Sequence, residues 1–163
     1  MAVRPVTPQQ ALVRMQALCS RAEHCSYEIR QKLSRMGLTA SAASEVLRLL
    51  EEGRYVDDSR YARAFVRDKF MFARWGRRKI RLALAAKRIP SEIALEAIES
   101  IDPEEYRHTA VAVLRAVAAR YGGILDYGTK MKIFRGMMAK GYEPDVVSCA
   151  FLSLDSDEAA GLA

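Results

Sequence analysis

Apolar residues recur along this chain at the spacing of an amphipathic helix. One spacing, i, i+3, i+4 and i+7, occurs in three sets: Ala43, Val46, Leu47, Leu50; Ala94, Ala97, Ile98, Ile101; and Val147, Ala150, Phe151, Leu154. It places the apolar side chains of each set on one face of a helix. No stretch alternates apolar and polar residues as a half-buried strand would. The pattern therefore predicts an all-α protein.

The three sets belong to a longer internal repeat. Gly37, Arg88 and Gly141 are equivalent positions that lie 51 and 53 residues apart. An isoleucine comes eight residues before each of them and a leucine or methionine four residues before, namely Ile29 and Leu33, Ile80 and Leu84, and Ile133 and Met137. Because a period near 50 residues indicates a tandem array, we predict three repeats of three helices each.

A tight turn should join the second helix of each repeat to the third. Glycine at positions 37 and 141 suits the left-handed conformation that ends many helices, whereas Arg88 must adopt it without glycine. Each third helix then starts with residues typical of helix starts, which are Thr39 and Ser41, Pro90 and Ser91, and Pro144 and Asp145.

We predict helical repeats at residues 10–53, 54–102 and 103–155, followed by a disordered tail at residues 156–163. A unit of about 50 residues buries too little surface to be robust alone. Neighbouring repeats must therefore pack against one another. Three such repeats joined end to end would form an elongated, curved rod, which we expect to be a monomer.

The composition narrows the class of protein. Half of the 163 residues are apolar and the formal net charge is +6, which favours an acidic partner. No apolar run approaches the ~20 residues needed to cross a bilayer, and the first ten residues lack the apolar segment of an export signal. We therefore expect a cytoplasmic protein without a membrane contact. Three cysteines without a CxxC pair favour neither a disulfide framework nor a metal site.

The positive charge is concentrated in the predicted middle repeat. Twelve Lys or Arg and three Asp lie between Arg54 and Arg88, whereas the rest of the chain is net negative. The helical spacing puts Arg60, Arg63, Arg67, Arg77, Arg78 and Arg81 on one cationic face, and with the neighbouring Arg74, Lys79, Lys87 and Arg88 they form the candidate partner-binding set. An ordinary solvated face mixes both signs. We therefore expect this face to bind an acidic partner, and a merely solvated helix surface is the alternative.

Aromatic residues should support this face. We expect Tyr61, Phe65 and Phe72 on the buried side of the first helix of the middle repeat, with Ile80, Leu84 and Ile98 in the core beneath the second and third helices. Trp75 is the only tryptophan. We favour a packing role for it, and stacking on a nucleic-acid base is the alternative.

Motifs of catalysis and cofactor binding are missing from the sequence. There is no GxxxxGK[ST] phosphate loop, and the two histidines, His24 and His108, lie in different predicted repeats. Acidic pairs such as Asp57 and Asp58 come at predicted helix starts, where they complement the positive end of the helix dipole. We therefore predict a binding protein that is not an enzyme and has no cofactor.

The basic segment resembles a known family. The strings "YVDDSRYARAFVRDKF" and "WGRRKIRLALAAKRIP" resemble the middle repeat of the RecX family, bacterial regulators of the RecA recombinase. "YEIRQKLSRMGL" and "KMKIFRGMMAKGYEPDVV" resemble its first and third repeats, so the resemblance covers about residues 10 to 154. Where the family often has Gly-Pro, this chain has Arg77-Arg78, and where it often has glycine, this chain has Arg88.

The resemblance implies a cytoplasmic regulator of homologous recombination and the SOS response. Such proteins bind in the groove of the RecA filament on DNA and inhibit its ATP hydrolysis, strand exchange and coprotease activity. The implied partners are the RecA filament and single-stranded DNA, contacted directly or through the filament. Two other interpretations stay open, a DNA-binding helical module that acts independently of RecA and a helical scaffold for another acidic protein.

Overall fold

The structure is a computed structural model that describes residues 6–123 and 126–161, with side chains as far as residue 154. Its described residues form nine helices and no strand, which confirms the all-α prediction. The helices are α1 (Pro8–Cys19), α2 (Ser26–Arg35), α3 (Ala40–Glu52), α4 (Asp58–Met71), α5 (Arg77–Ala86), α6 (Ser91–Glu99), α7 (Pro103–Ala119), α8 (Tyr127–Ala139) and α9 (Pro144–Gly161). None of them is both long enough and apolar enough to span a bilayer.

The predicted apolar sets form the core. All twelve of their residues are buried, and the six isoleucine, leucine and methionine positions of the second helices are fully inaccessible. Phe72 is an exception, because it lies beyond the end of α4 at Met71 and is 83% exposed. Helical spacing no longer applies at that point, and Phe70 takes the buried position instead. The prediction of a buried Phe72 was therefore wrong.

The three equivalent turns share one hydrogen-bond pattern. The N–H groups of Leu38, Ile89 and Tyr142 donate to the carbonyls five residues earlier, over 3.3, 3.1 and 3.2 Å. The residue before each has a positive φ, 84° at Gly37, 54° at Arg88 and 94° at Gly141. This is the Schellman geometry of a helix end, and Arg88 adopts it without glycine, as the sequence required.

The chain divides into two compact units. One takes in residues up to Phe65 together with Leu84–Ala94, and the other takes in Val66–Ala83 together with the chain from Leu95 onward. Each unit thus contains helices of one terminal repeat and part of the predicted middle repeat. The repeat boundaries at 53/54 and 102/103 stay a prediction. Helix α9 continues to Gly161, through most of the segment expected as a tail.

In the second unit, the start of α5 meets the α8–α9 turn backbone to backbone. The Gly76 N–H donates to the Lys140 carbonyl over 2.8 Å, and the Arg78 N–H donates to the Gly141 carbonyl over 3.0 Å. A Cβ on Gly76 would lie 2.3 Å from the carbonyl carbon of Gly141. Neither backbone can move away without breaking these bonds, so this joint requires glycine at position 76.

The first unit contains the equivalent joint, made by side chains. Cys25 precedes Gly76 by 51 residues, and its thiol lies 3.9 Å from the Lys87 carbonyl. Asp58 accepts hydrogen bonds from the N–H and the hydroxyl of Ser26, over 2.7 and 2.6 Å. The carboxylate thereby caps the start of α2, although Asp58 belongs to α4.

Replacement of Gly76 by alanine should destabilise the second unit. The added Cβ has no room against the Gly141 backbone, so we expect the free energy of unfolding to fall by about 2 kcal/mol or more, as measured by urea denaturation. Gly37→Ala is the control, because nothing lies within 4 Å of its Cβ position and only its left-handed φ should cost about 1 kcal/mol. A Gly76→Ala protein as stable as the wild type would contradict the backbone joint.

Replacement of Arg88 by glycine should stabilise the protein, in contrast to Gly76→Ala. Relief of the left-handed arginine should raise the free energy of unfolding by up to about 0.5 kcal/mol. This net gain allows for the entropy that glycine adds to the unfolded chain and for loss of the cation–π contact between Arg88 and the Tyr27 ring at 5.3 Å. Arg81→Gly, inside α5, should lower it by about 1 kcal/mol. Thermal denaturation of both variants measures the difference, and a destabilised Arg88→Gly protein would show that the side chain supports the fold.

Candidate interface for an acidic partner

The ten basic residues predicted as the interface are divided between the two compact units. The first unit contains Arg60, Arg63, Lys87 and Arg88, and the second contains Arg67, Arg74, Arg77, Arg78, Lys79 and Arg81. Six of the ten are exposed, namely Arg63, Arg67, Arg74, Arg78, Arg81 and Arg88. Their surroundings differ, so each unit is described in turn.

Two basic residues of the first unit pair with carboxylates of the same unit. Arg60 Nε donates to Glu23 over 2.6 Å, and its guanidinium also reaches the Arg54 carbonyl over 3.1 Å. The ammonium of Lys87 forms an ion pair with Glu28. The acidic partners lie 37 and 59 residues away in sequence, so local spacing could not identify them. Part of the charge predicted for an external partner is thus used inside this unit.

Glu28 connects several residues of the side-chain joint. Its carboxylate faces His24 Nδ1 at 3.1 Å as well as Lys87. Burial alone would raise the pKa of Glu28, but the hydrogen bonds from Lys87 and His24 outweigh it, and the pKa lies below its ordinary value. The carboxylate is therefore ionised at neutral pH and fixes Lys87 beside the turn that Arg88 completes.

Arg77 is a supporting residue of the second unit as well as a basic one. Its guanidinium lies 4.2 Å from the centre of the Tyr106 ring and donates to the Ile101 carbonyl over 3.3 Å. Its Nε is buried without a hydrogen-bond partner among the described residues. The Arg77 backbone N–H donates to the Tyr106 hydroxyl, which donates in turn to Glu143 over 2.6 Å. Burial and Glu143 raise the pKa of Tyr106, so this hydroxyl stays protonated.

Arg78 and Arg81 are exposed at the edge of a cleft in the second unit. The cleft has a volume of about 690 Å³. Its lining combines Arg77, Arg78 and Arg81 with the apolar Leu95, Ile98, Pro103 and Pro144 and the acidic Glu99, Glu143 and Asp145. Neither Arg78 nor Arg81 forms an ion pair among the described residues. These two guanidinium groups are thus available to a partner.

Trp75 lies just before α5, the helix that carries Arg78 and Arg81, and is half-buried. The ammonium groups of Lys69 and Lys79 lie 5.6 and 4.4 Å from its ring centre, within the range of cation–π attraction. Its backbone N–H donates to the Lys69 carbonyl over 3.0 Å. The half-buried ring thus lies within the basic cluster and outside the buried core.

Sequence reasoning missed the residues that fix α5 and the segment just before it through hydrogen bonds. Tyr106 and Glu143 fix the start of α5 from α7 and from the residue before α9. Tyr142 donates its hydroxyl to the Arg74 carbonyl over 3.1 Å. All three act across at least 29 residues of sequence, and no local pattern indicates such contacts.

The fold and this site define an all-α protein with an arginine-rich surface. A family model described as "RecX, second three-helix domain" matches residues 57–98, which include most of the basic segment. Regulatory protein RecX of Vibrio parahaemolyticus is 30% identical over 142 residues, covering 86% of this chain and 88% of that protein. The chain belongs to the RecX family.

Other comparisons agree in fold and differ in length. The crystal structure of RecX from Lactobacillus salivarius has a TM-score of 0.83 at 22% identity, covering 91% of this chain and 96% of that one. Regulatory protein RecX of Clostridium perfringens is 28% identical over 137 residues, which cover 80% of this chain. They span only 62% of the length of that protein. These relatives are named as regulatory proteins rather than as enzymes.

Protonation of Glu28 should weaken the first unit. Folding lowers the pKa of Glu28, so the ionised carboxylate stabilises the folded protein at pH values above the ordinary pKa of glutamate near 4.3. This stabilisation is lost as the pH falls through the lower pKa that Glu28 has in the folded protein. Glu28→Gln should therefore lower the melting temperature at pH 7, and the gap to wild type should narrow below about pH 4. Glu45→Gln, which removes an exposed ion pair with Arg48, should change it little at either pH.

Proposed function

We propose that this protein binds the RecA filament on DNA and inhibits its ATP hydrolysis, strand exchange and coprotease activity. Membership of the RecX family supports the regulatory role. The observation that carries the proposal is the exposed pair Arg78 and Arg81, which project from a helix fixed by the glycine joint and by Tyr106. The cytoplasmic location and the roles in DNA repair and the SOS response expected from the sequence belong to this proposal.

Guanidinium groups suit such a partner. They bind carboxylate and phosphate through paired, charge-assisted hydrogen bonds, and a filament on DNA presents both anions along its groove. Long-range attraction speeds the encounter and weakens as salt rises. Each of the two compact units carries exposed arginines, so several modest contacts can act together and give an affinity that no single contact provides.

Binding of this protein to the filament would then be enough to inhibit it, without any reaction catalysed by this protein. ATP hydrolysis and strand exchange by a filament both require its subunits to change their arrangement. A protein that contacts more than one subunit binds one arrangement more tightly than another, and it shifts the population toward the arrangement it prefers. The inhibitor needs no catalytic group for this, only a rigid surface with correctly placed charges.

Charge reversal at the cleft edge should weaken the inhibition. In assays of ATP hydrolysis by RecA on single-stranded DNA, the double variant Arg78→Glu, Arg81→Glu should need roughly tenfold more protein or higher for half-inhibition. The double variant Arg14→Glu, Arg21→Glu makes the same change in net charge at two exposed arginines outside the basic segment, and should inhibit like the wild type. Unchanged ATP hydrolysis at saturating wild-type protein would refute the proposal.

A DNA-binding module acting without RecA is the second candidate, and the Trp75 cluster favours it. Single-strand binding surfaces combine aromatic rings with nearby positive charge, as Trp75 does with Lys69 and Lys79. Because Trp75 is the only tryptophan, its fluorescence reports directly on this cluster. Quenching by an oligothymidylate that disappears steeply with rising salt would support this candidate, and unchanged fluorescence would oppose it.

A further inference from the structure

The second unit contains a second concave surface, between α8 and α9, that we call the α8–α9 groove. It encloses about 350 Å³ and is lined mainly by Tyr127, Lys130, Met131, Phe134, Phe151 and Leu152. Tyr127 is 79% exposed and Leu152 is 65% exposed. Large apolar side chains grouped at a surface are unusual unless a partner covers them.

The internal repeat shows that folding does not demand apolar residues at these positions. A shift of 53 residues, which relates Arg88 to Gly141, also relates the groove to the cleft on α5 and α6. Met131 then corresponds to Arg78, Phe134 to Arg81, and Leu152 to Glu99. The cleft uses charged residues at three positions where the groove uses apolar ones. Because the equivalent helix pair folds with charged residues at these three positions, the apolar set points to binding.

A cation also lies in the groove. The ammonium of Lys130 lies 5.0 Å from the centre of the Phe151 ring, over the apolar surface. No carboxylate is found among the described side chains that line the groove. The cleft on α5 and α6, in contrast, has three acidic residues beside its arginines. Charge complementarity with the described part of the groove therefore favours a partner that supplies a carboxylate.

We propose that the α8–α9 groove binds a helix of the RecA filament protein that presents an apolar side chain next to a carboxylate. The apolar side chain enters between Met131 and Leu152, and the carboxylate pairs with Lys130. Helices with apolar anchors are the usual occupants of grooves between two helices. This inference rests on the proposed function and adds to it a second contact of different chemistry, formed by burial of apolar surface.

The two contacts should respond differently to salt. Screening shortens the reach of charge attraction to about 3 Å at 1 M salt, so the contact through Arg78 and Arg81 should fade. Burial of apolar surface is not screened. Binding that survives at high salt should therefore depend on the groove, whereas binding gained at low salt should depend on the arginines.

The test compares binding to RecA filaments that are held on single-stranded DNA by a non-hydrolysable ATP analogue, at about 0.1 M and about 0.5 M salt. Leu152→Glu and, separately, Tyr127→Ser should weaken binding at high salt about tenfold. Val13→Glu, an exposed apolar position on α1, is the matched control and should bind like the wild type. Circular dichroism melting shows whether each variant is folded, and Tyr127→Ser keeps the test valid if Leu152→Glu unfolds.

The possible results separate the two proposals. Absence of wild-type binding at either salt concentration would refute the proposed function itself. Wild-type binding that both groove variants retain at high salt would overturn only the groove contact. Sedimentation that shows wild-type dimers and monomeric Leu152→Glu would also overturn it, because the groove would then hold a second copy of the chain.

Discussion

The backbone contact between Gly76 and Gly141 is the constraint on which the second unit depends. Two peptide groups meet there only because neither residue has a side chain, since a Cβ on Gly141 would lie 2.4 Å from that of Lys79. The hydrogen bonds so formed fix the start of α5, and Tyr106 adds a third, which its hydroxyl accepts from the Arg77 N–H. Arg78 and Arg81 therefore project from a helix whose start is held by three hydrogen bonds. Such preorganisation reduces the entropy that binding would otherwise cost.

The equivalent joint in the first unit shows how a repeat keeps its geometry while its chemistry changes. Cys25 occupies the place of Gly76, and ion pairs and hydrogen bonds through Glu28 and Asp58 replace the direct backbone contact. Lys87 forms an ion pair with Glu28 in that joint, and Arg60 forms an ion pair with Glu23 in the same unit. The basic residues of the first unit thus serve partly as structure, whereas those at the cleft edge of the second unit remain exposed.

Our proposals give the second unit two binding surfaces at repeat-equivalent positions. The cleft on α5 and α6 offers charge, which attracts over a long range and is screened by salt. The α8–α9 groove offers apolar area, which acts only at contact. A regulator that combines both can find a charged filament quickly and still remain bound when salt is high, without any catalytic residue of its own.

The sequence by itself determined the helices, the core and the equivalence of Gly37, Arg88 and Gly141, because periodicity and turn chemistry are local properties. It also located the basic segment. Only the tertiary structure showed that Phe72 lies outside the core, that Glu23 and Glu28 neutralise Arg60 and Lys87, and that Tyr106 holds Arg77. These contacts join residues that are distant in sequence, and such pairs are fixed by how the helices pack rather than by any local pattern.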